Sequence, residues 1–228
     1  MSHAASRADD PRLRILDAAG PTFAKHGFDN ATVREICAAA GVNVASVAYY
    51  FGDKMGLYLE VIRLIRGRRE QEFPMPAQEG SAEQRLYLQI HTLLQRMLAG
   101  DAQGWEAQLM MREMQRPTEA FREMAEEYFR PLQEQLETTI GEILQSEAPA
   151  QLVPVHQLQQ LALSVVGQCL YYRVGGDVVQ QLVSPRDREQ HYTTPSLARH
   201  ITAVMLASLT GGTYFDCLHR STASPTHE

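Results

Sequence analysis

The sequence predicts an all-α protein with a small N-terminal three-helix head and a larger helical body. Three observations carry this. Apolar residues recur at helical spacing along most of the 228 residues, with no alternating strand pattern. The stretch at 32–51, TVREICAAAGVNVASVAYYF, holds two short helical patterns that share one tight turn. FPMPAQEG at 73–80 carries two prolines and reads as a linker between domains.

In the first pattern of the 32–51 stretch, Val33, Ile36, Cys37 and Ala40 fall on one face. Thr32 and Glu35 form a T-x-x-E capping box that starts the helix. Gly41 suits the left-handed backbone of a sharp exit, and Asn43 is placed to cap the next helix. That second helix begins at Val44. Val47 and Phe51 continue the buried face, which leaves Val44, Ala45, Ser46, Tyr49 and Tyr50 outside. The outer face is small, aromatic at its end and free of acid. Two short helices at a Gly-containing turn, the second with such a face, make a helix-turn-helix that fits a DNA major groove.

These residues carry a resemblance. The run at 14–58, RILDAAGPTFAKHGFDNATVREICAAAGVNVASVAYYFGDKMGLY, resembles the N-terminal domain of TetR-type transcriptional regulators. The likeness lies in the order of its parts: a helix ending F-A-x-x-G-F, then A-T-V-x-E-I, A-G-V, a short helix closing in Y-F, and a Lys three residues on. The segment at 105–131, WEAQLMMREMQRPTEAFREMAEEYFRP, is similar to the C-terminal domain of one subgroup of these regulators.

Charge is distributed unevenly. The net −6 divides into +1 over residues 1–72 and −7 over the remainder, and both lysines, Lys25 and Lys54, lie in the first part. A near-neutral head on an acidic body fits a small DNA footprint rather than a coating protein. No apolar run is long enough to span a bilayer and the N-terminus lacks an apolar signal core, so a cytoplasmic location and no membrane partner are expected. Cys37, Cys169 and Cys217 have no metal-ligand spacing and read as reduced core residues. The eight histidines are scattered, with His219 and His227 near the C-terminus, and no nucleophile, phosphate-loop or metalloprotease motif is present. No cofactor, metal or catalytic residue is expected, and an enzyme is the less favoured class.

In chain order, residues 1–10 read as a disordered arm in which Arg7 could meet a phosphate. A first helix spans 11–26, burying Ile15, Leu16, Ala19 and Phe23 and ending at Gly27; Gly20-Pro21 departs from the family pattern, and Pro21 is expected to bend it. A linking helix at 53–72 turns Leu57, Tyr58, Val61, Ile62 and Ile65 inward. Its arginines 63, 66, 68 and 69 read as a solvated face paired within the helix to Glu60, Glu70 and Glu72. Further helices are expected at 82–98, 104–115, 118–146 with a kink near Pro131, 155–173, 178–183 and 196–210, then a frayed tail. The domains are therefore a head with its linking helix at 11–72, a body at 73–211 and a tail at 212–228.

The resemblance implies more than the residues do. It implies that the body binds a small-molecule effector and that its last two long helices, apolar at Leu158, Leu161, Ala162, Val165, Val166, Cys169, Ile201, Val204, Met205 and Leu209, pair with their twins in a homodimer; ordinary core is the other reading of those residues. Candidate effector contacts are His91, Trp105, Met110, Met114, Tyr128, Gln168 and Tyr172, a Met- and aromatic-rich set with hydrogen-bonding groups, and core filling is again the alternative. The candidate contacts to a double-stranded operator are Thr32, Arg34, Val44, Ala45, Ser46, Tyr49, Tyr50 and Lys54. Thr32 and Lys54 would hold phosphates, while Tyr49 and Tyr50 would meet backbone and thymine methyls. Ala48 stands where the family often has Tyr, so one phosphate contact is missing. The expected function is a ligand-responsive regulator that represses from a palindromic operator; a ligand-independent DNA-binding regulator and an all-helical enzyme remain the alternatives.

Overall fold

A computed structural model describes residues 10–98, 104–147, 149 and 152–210. Arg7, Cys217, His219 and His227, the arm before Asp10 and the tail after 210 lie outside the described residues. Asp10, the last residue of the expected arm, is the N-cap of the first helix and accepts a hydrogen bond from the Arg12 amide at 2.8 Å.

The described residues form α-helices and no strand, and they divide into two compact units that interleave along the chain. Unit 1 holds 10–72 and 104–129; unit 2 holds 73–98 and the described residues from 130 onward. Residues 104–129, which the sequence pattern assigns to the body, thus pack with the head. Leu109, Ala120 and Met124 are buried in the same core as Phe23, Ile36, Leu57 and Tyr58. Apolar periodicity marks a helix as buried without saying in which core.

Unit 1 begins with α1 (Pro11–Asn30), which runs on through Pro21 and kinks instead at Gly27, where φ is 78°. Gly20 has a separate reason to be small. The Trp105 indole lies so close that a Cβ there would stand 2.3 Å from its Cη2. The departure from the family pattern at this position is therefore a packing choice that seats α6 (Trp105–Gln115) against α1. The helices α2 (Val33–Ala40), α3 (Ala45–Phe51) and α4 (Lys54–Glu72) complete the head, and α7 (Ala120–Met124) lies along α4.

The single helix expected at 118–146 is divided. After α7 comes a π-helical turn, Ala125–Phe129, and then α8 (Arg130–Glu147) in unit 2. Pro131 lacks an amide to close the preceding turn, which accounts for a widened turn at this place.

Unit 2 packs α5 (Ala82–Leu98), α8, α9 (Val155–Val174) and α12 (Thr194–Leu209) around Leu86, Ile90, Leu136, Ile140, Val165 and Ile201. Two short helices, α10 (Gly176–Leu182) and α11 (Pro185–His191), bury no residue of their own. Sequence periodicity misses α11 for that reason, although Ser184 caps it through the Asp187 amide at 3.1 Å and Pro185 opens it. Among the described residues, no helix is long and apolar enough to cross a membrane.

Candidate nucleic-acid interface

The helix-turn-helix is built by three local devices. The Thr32 hydroxyl accepts the Glu35 amide at 3.2 Å and starts α2. Gly41 then takes the left-handed conformation at φ 65°, with its own amide and that of Val42 bonded back to Ala38 and Cys37. Asn43, expected as the cap of α3, stands one residue before its N-cap Val44 and braces the entry instead, its Oδ1 accepting the Ala45 amide at 2.9 Å. The turn is thus fixed by side chains of its own segment, while Val47, 2% exposed, pins α3 to the core of Ile36 and Cys37.

The other side of α3 is open. Tyr49 is 82% exposed, Val44 49% and Tyr50 38%; Ala45 and Ala48 are exposed and Ser46 is half-buried. Tyr49 and Tyr50 meet edge to face with ring centroids 4.8 Å apart, so each limits the other's rotation. Thr32 and Arg34 are exposed at the start of α2. The eight residues expected to face DNA therefore lie on adjoining elements of one unit, with Lys54 at the head of α4.

Lys54 is already engaged. Its Nζ donates to the Asp29 carbonyl at 3.1 Å and sits 4.6 Å above the Phe28 ring. Phe28 in turn packs against Phe23 and Tyr58. The ammonium is thereby held in place, and an ammonium has three donors, so the Asp29 carbonyl does not exhaust it.

The arginines of α4 find two of the expected intrahelical partners, Glu60 and Glu70, and further ones outside the helix. Arg63 binds Glu123 through two hydrogen bonds, 2.6 and 2.7 Å, besides Glu60 at 2.8 Å. Arg66 pairs with Glu127 and, at 3.9 Å, with Glu70. Arg68 and Arg69 reach Glu106 at 2.9 and 3.4 Å. Only Glu60 and Glu70 belong to α4 itself; the other carboxylates come from 104–129, and no ion pair reaches Glu72 among the described residues. Arg69 and Glu106, each 6% exposed, are a buried pair rather than a solvated face. The basic cluster is thus paired with carboxylates of unit 1. The available sequence signal was the complementarity between these four arginines and the acids at 106, 123 and 127.

A second link joins α4 to the same segment. The Tyr58 hydroxyl donates to Glu113 Oε2 at 2.7 Å, and Glu113 Oε1 accepts the amide and hydroxyl of Thr118 at 2.7 and 3.0 Å. Burial, then the Glu113 carboxylate, push the Tyr58 phenol well above its ordinary range, so it stays a donor.

The residues expected to contact an effector are divided. Trp105, Met110, Met114 and Tyr128 belong to unit 1, where Trp105, Met110 and Tyr128 pack half-buried on the core and Met114 is exposed. His91, Gln168 and Tyr172 belong to unit 2. There His91 lies beside the Tyr87 ring, Gln168 donates to the Met205 sulfur at 3.5 Å, and burial raises the Tyr172 phenol. Gln168 and Tyr172 stand one turn apart on α9. A groove of about 580 Å³ in unit 2 contains none of the seven; it is lined by Glu134, Glu137 and Glu142 of α8 with Leu152, Val153 and Leu158. The two cysteines among the described residues are free and buried, and burial pushes Cys169 up to about 12.

Comparison with known proteins gives this geometry its family. Residues 15–61 match the family model described as bacterial regulatory proteins, tetR family, and residues 82–210 match that of the C-terminal domain of the HTH-type transcriptional dual regulator CecR. The chain belongs to the TetR family of transcriptional regulators. This TetR-family chain is 27% identical over 184 residues to the dual regulator CecR of Shigella flexneri, covering 76% of this chain and 80% of that protein. It is 37% identical over 60 residues to the transcriptional repressor AcnR of Corynebacterium glutamicum, covering 26% of this chain and 32% of that one. In fold the TetR-family chain is similar to the transcriptional regulator FadR of Bacillus subtilis in complex with stearoyl-CoA, with a TM-score of 0.57 at 20% identity, covering 86% of this chain and 97% of that one.

Proposed function

We propose that this regulator is a homodimeric, cytoplasmic repressor that holds a palindromic operator through α3 and lets it go when a small molecule binds unit 2. The observation that carries the reading is the acid-free, exposed face of α3 on a turn braced by Thr32, Gly41 and Asn43. Val44, Ala45 and Ser46 allow close approach to base edges, Tyr49 and Tyr50 supply hydroxyls and rings, and the exposed Arg34 on α2 adds a guanidinium. Thr32 with the first amides of α2, and Lys54, hold phosphates that set the register. With few base-edge donors on this surface, selectivity draws on thymine methyls and DNA shape.

Pairing of two copies is supported by the outer faces of α9 and α12. Val155, Leu163, Tyr171, Val174 and Val204 are exposed there, and Arg173, Arg199, His156 and His200 are the only ionisable side chains besides tyrosines and a buried cysteine on the two helices. Charge depletion with exposed aliphatic and aromatic groups marks an association surface. Release by an effector is supported by the tie between 104–129 and α4, since that segment continues into α8 at its C-terminal end. To turn mostly bound into mostly free, the effector must favour the released state by several kcal/mol. The fold is shared with a regulator that binds stearoyl-CoA, which makes long-chain acyl-CoA the first class to assay.

Selection of bound duplexes from a random pool tests the reading. Enrichment of a palindrome whose half-sites lie about 34–36 Å apart, or a multiple of that, is expected; failure to enrich any sequence would overturn it.

A further inference from the structure

We propose that α10 (Gly176–Leu182) is part of the surface on which a second copy of this chain docks, extending the α9 and α12 seam along the partner. The inference rests on the homodimer reading above and adds an element to it.

The apolar stripe of α9 does not stop where α9 stops. Tyr171 and Val174 are 51% and 54% exposed, and Val178 and Leu182 of α10 follow at helical spacing with exposures of 48% and 79%. One residue separates the two helices: the Gly175 amide closes α9 on Tyr171 O at 2.7 Å, and the Gly175 carbonyl, at φ −93° and ψ 13°, opens α10 by accepting the Val179 amide at 2.9 Å. Leu182 is thus a leucine with four-fifths of its surface in water, on a helix that buries nothing of its own. Solvent alone gives no reason to keep valine and leucine in register on such a helix, whereas a covering partner does.

Charge bounds the surface on the same side. Asp177 is the one formal charge in α10, while the next helix, PRDREQH, carries Arg186, Asp187, Arg188 and Glu189. The transition from an uncharged stripe to a densely charged helix is that from the core of an interface to its rim.

Size points the same way. Nine residues of α9 and six of α12 are exposed, fewer than the roughly 20–30 per side of a stable interface. Five exposed residues of α10 bring the seam to the lower end of that range. The occupant is a second copy because the stripe adjoins the α9 and α12 faces proposed above to pair in the homodimer.

The test is sedimentation equilibrium of the full chain over a dilution series, with Val178→Glu, Leu182→Glu and, as a control on α11, Arg186→Glu. The glutamates are expected to weaken the dimer at least about tenfold, with the control within about twofold of wild type. Hydrogen exchange on the wild-type chain provides a readout independent of substitution: amides of 176–182 are expected to exchange more slowly in the dimer than after dilution into monomer. Dimer affinities unchanged in both glutamate variants, or exchange at 176–182 that is independent of concentration, as when the chain's own tail covers α10, would overturn the proposal while leaving the homodimer intact. A wild-type chain that is monomeric at every concentration would overturn both.

Discussion

The Tyr58 hydroxyl and the Glu113 carboxylate, 55 positions apart in sequence, are 2.7 Å apart in the interior of unit 1, with Tyr58 1% and Glu113 1% exposed. A buried carboxylate of this kind is tolerated because three donors meet it, one from Tyr58 and two from Thr118. The linking helix of the head is thereby fastened to a segment the chain reaches only after building α5.

Tyr58→Phe removes one of those donors and leaves Glu113 under-bonded in a site without water access. A loss of about 1–3 kcal/mol is expected, read as a lower thermal midpoint with helical content retained. Stability equal to wild type would mean that Glu113 finds another donor.

Gly20→Ala sets two effects against each other. Alanine favours the helix by up to about 1 kcal/mol, while the new methyl would meet the Trp105 ring at 2.3 Å. Overpacking against a rigid indole costs about 1–3 kcal/mol, so the substitution is expected to destabilise overall. Trp105 is the one tryptophan in the chain, and its fluorescence should shift to the red as the ring is displaced. An unchanged emission maximum would contradict the packing.

The Arg63 hydrogen bonds hold the Glu123 carboxyl below its ordinary value, against the opposing effect of burial. A depressed folded-state value stabilises above the unfolded value and is lost as pH falls through the folded one. Glu123→Gln should therefore be less stable than wild type near neutrality, with the gap closing only in acid, as pH falls below the ordinary carboxylate range and through the lowered folded value. With the Arg63 side chain 47% exposed, screening keeps the difference to no more than about 1 kcal/mol. A gap that persists in acid would assign the effect to packing.

Lys54→Ala is expected to weaken binding to every duplex, operator or not, and to lower the salt-dependence slope by about one unit. It should also cost the head up to about 1 kcal/mol through its contact with Phe28. An unchanged slope would confine Lys54 to that structural role.

What was legible in the sequence was what local chemistry determines. The bounds of α5, the Thr32 capping box, the left-handed Gly41 and the division of α3 into a Val47 side and a Tyr49 side come from spacing and caps within a few residues. What was not legible depends on which core a helix joins. Trp105 and Leu109 have the periodicity of any buried helix, and nothing local assigns them to α1 rather than to the body. The i to i+4 rule finds Glu60 for Arg63 and Glu70 for Arg66, but their other partners, Glu123 and Glu127, lie 60 and 61 positions away, beyond its reach. For the same reason the effector residues, chosen by composition, fall in both units, whereas the α3 face, chosen by pattern, falls on one.

That the exposed face of α3 meets DNA is the central claim, and Tyr49→Glu tests it most directly. Tyr49 is 82% exposed, so an acid there should leave thermal stability close to wild type while placing a negative charge where phosphate and base edges approach. Equilibrium titration of the selected operator is expected to show a loss of at least about a hundredfold at fixed salt. Operator affinity equal to that of the wild type would contradict the claim.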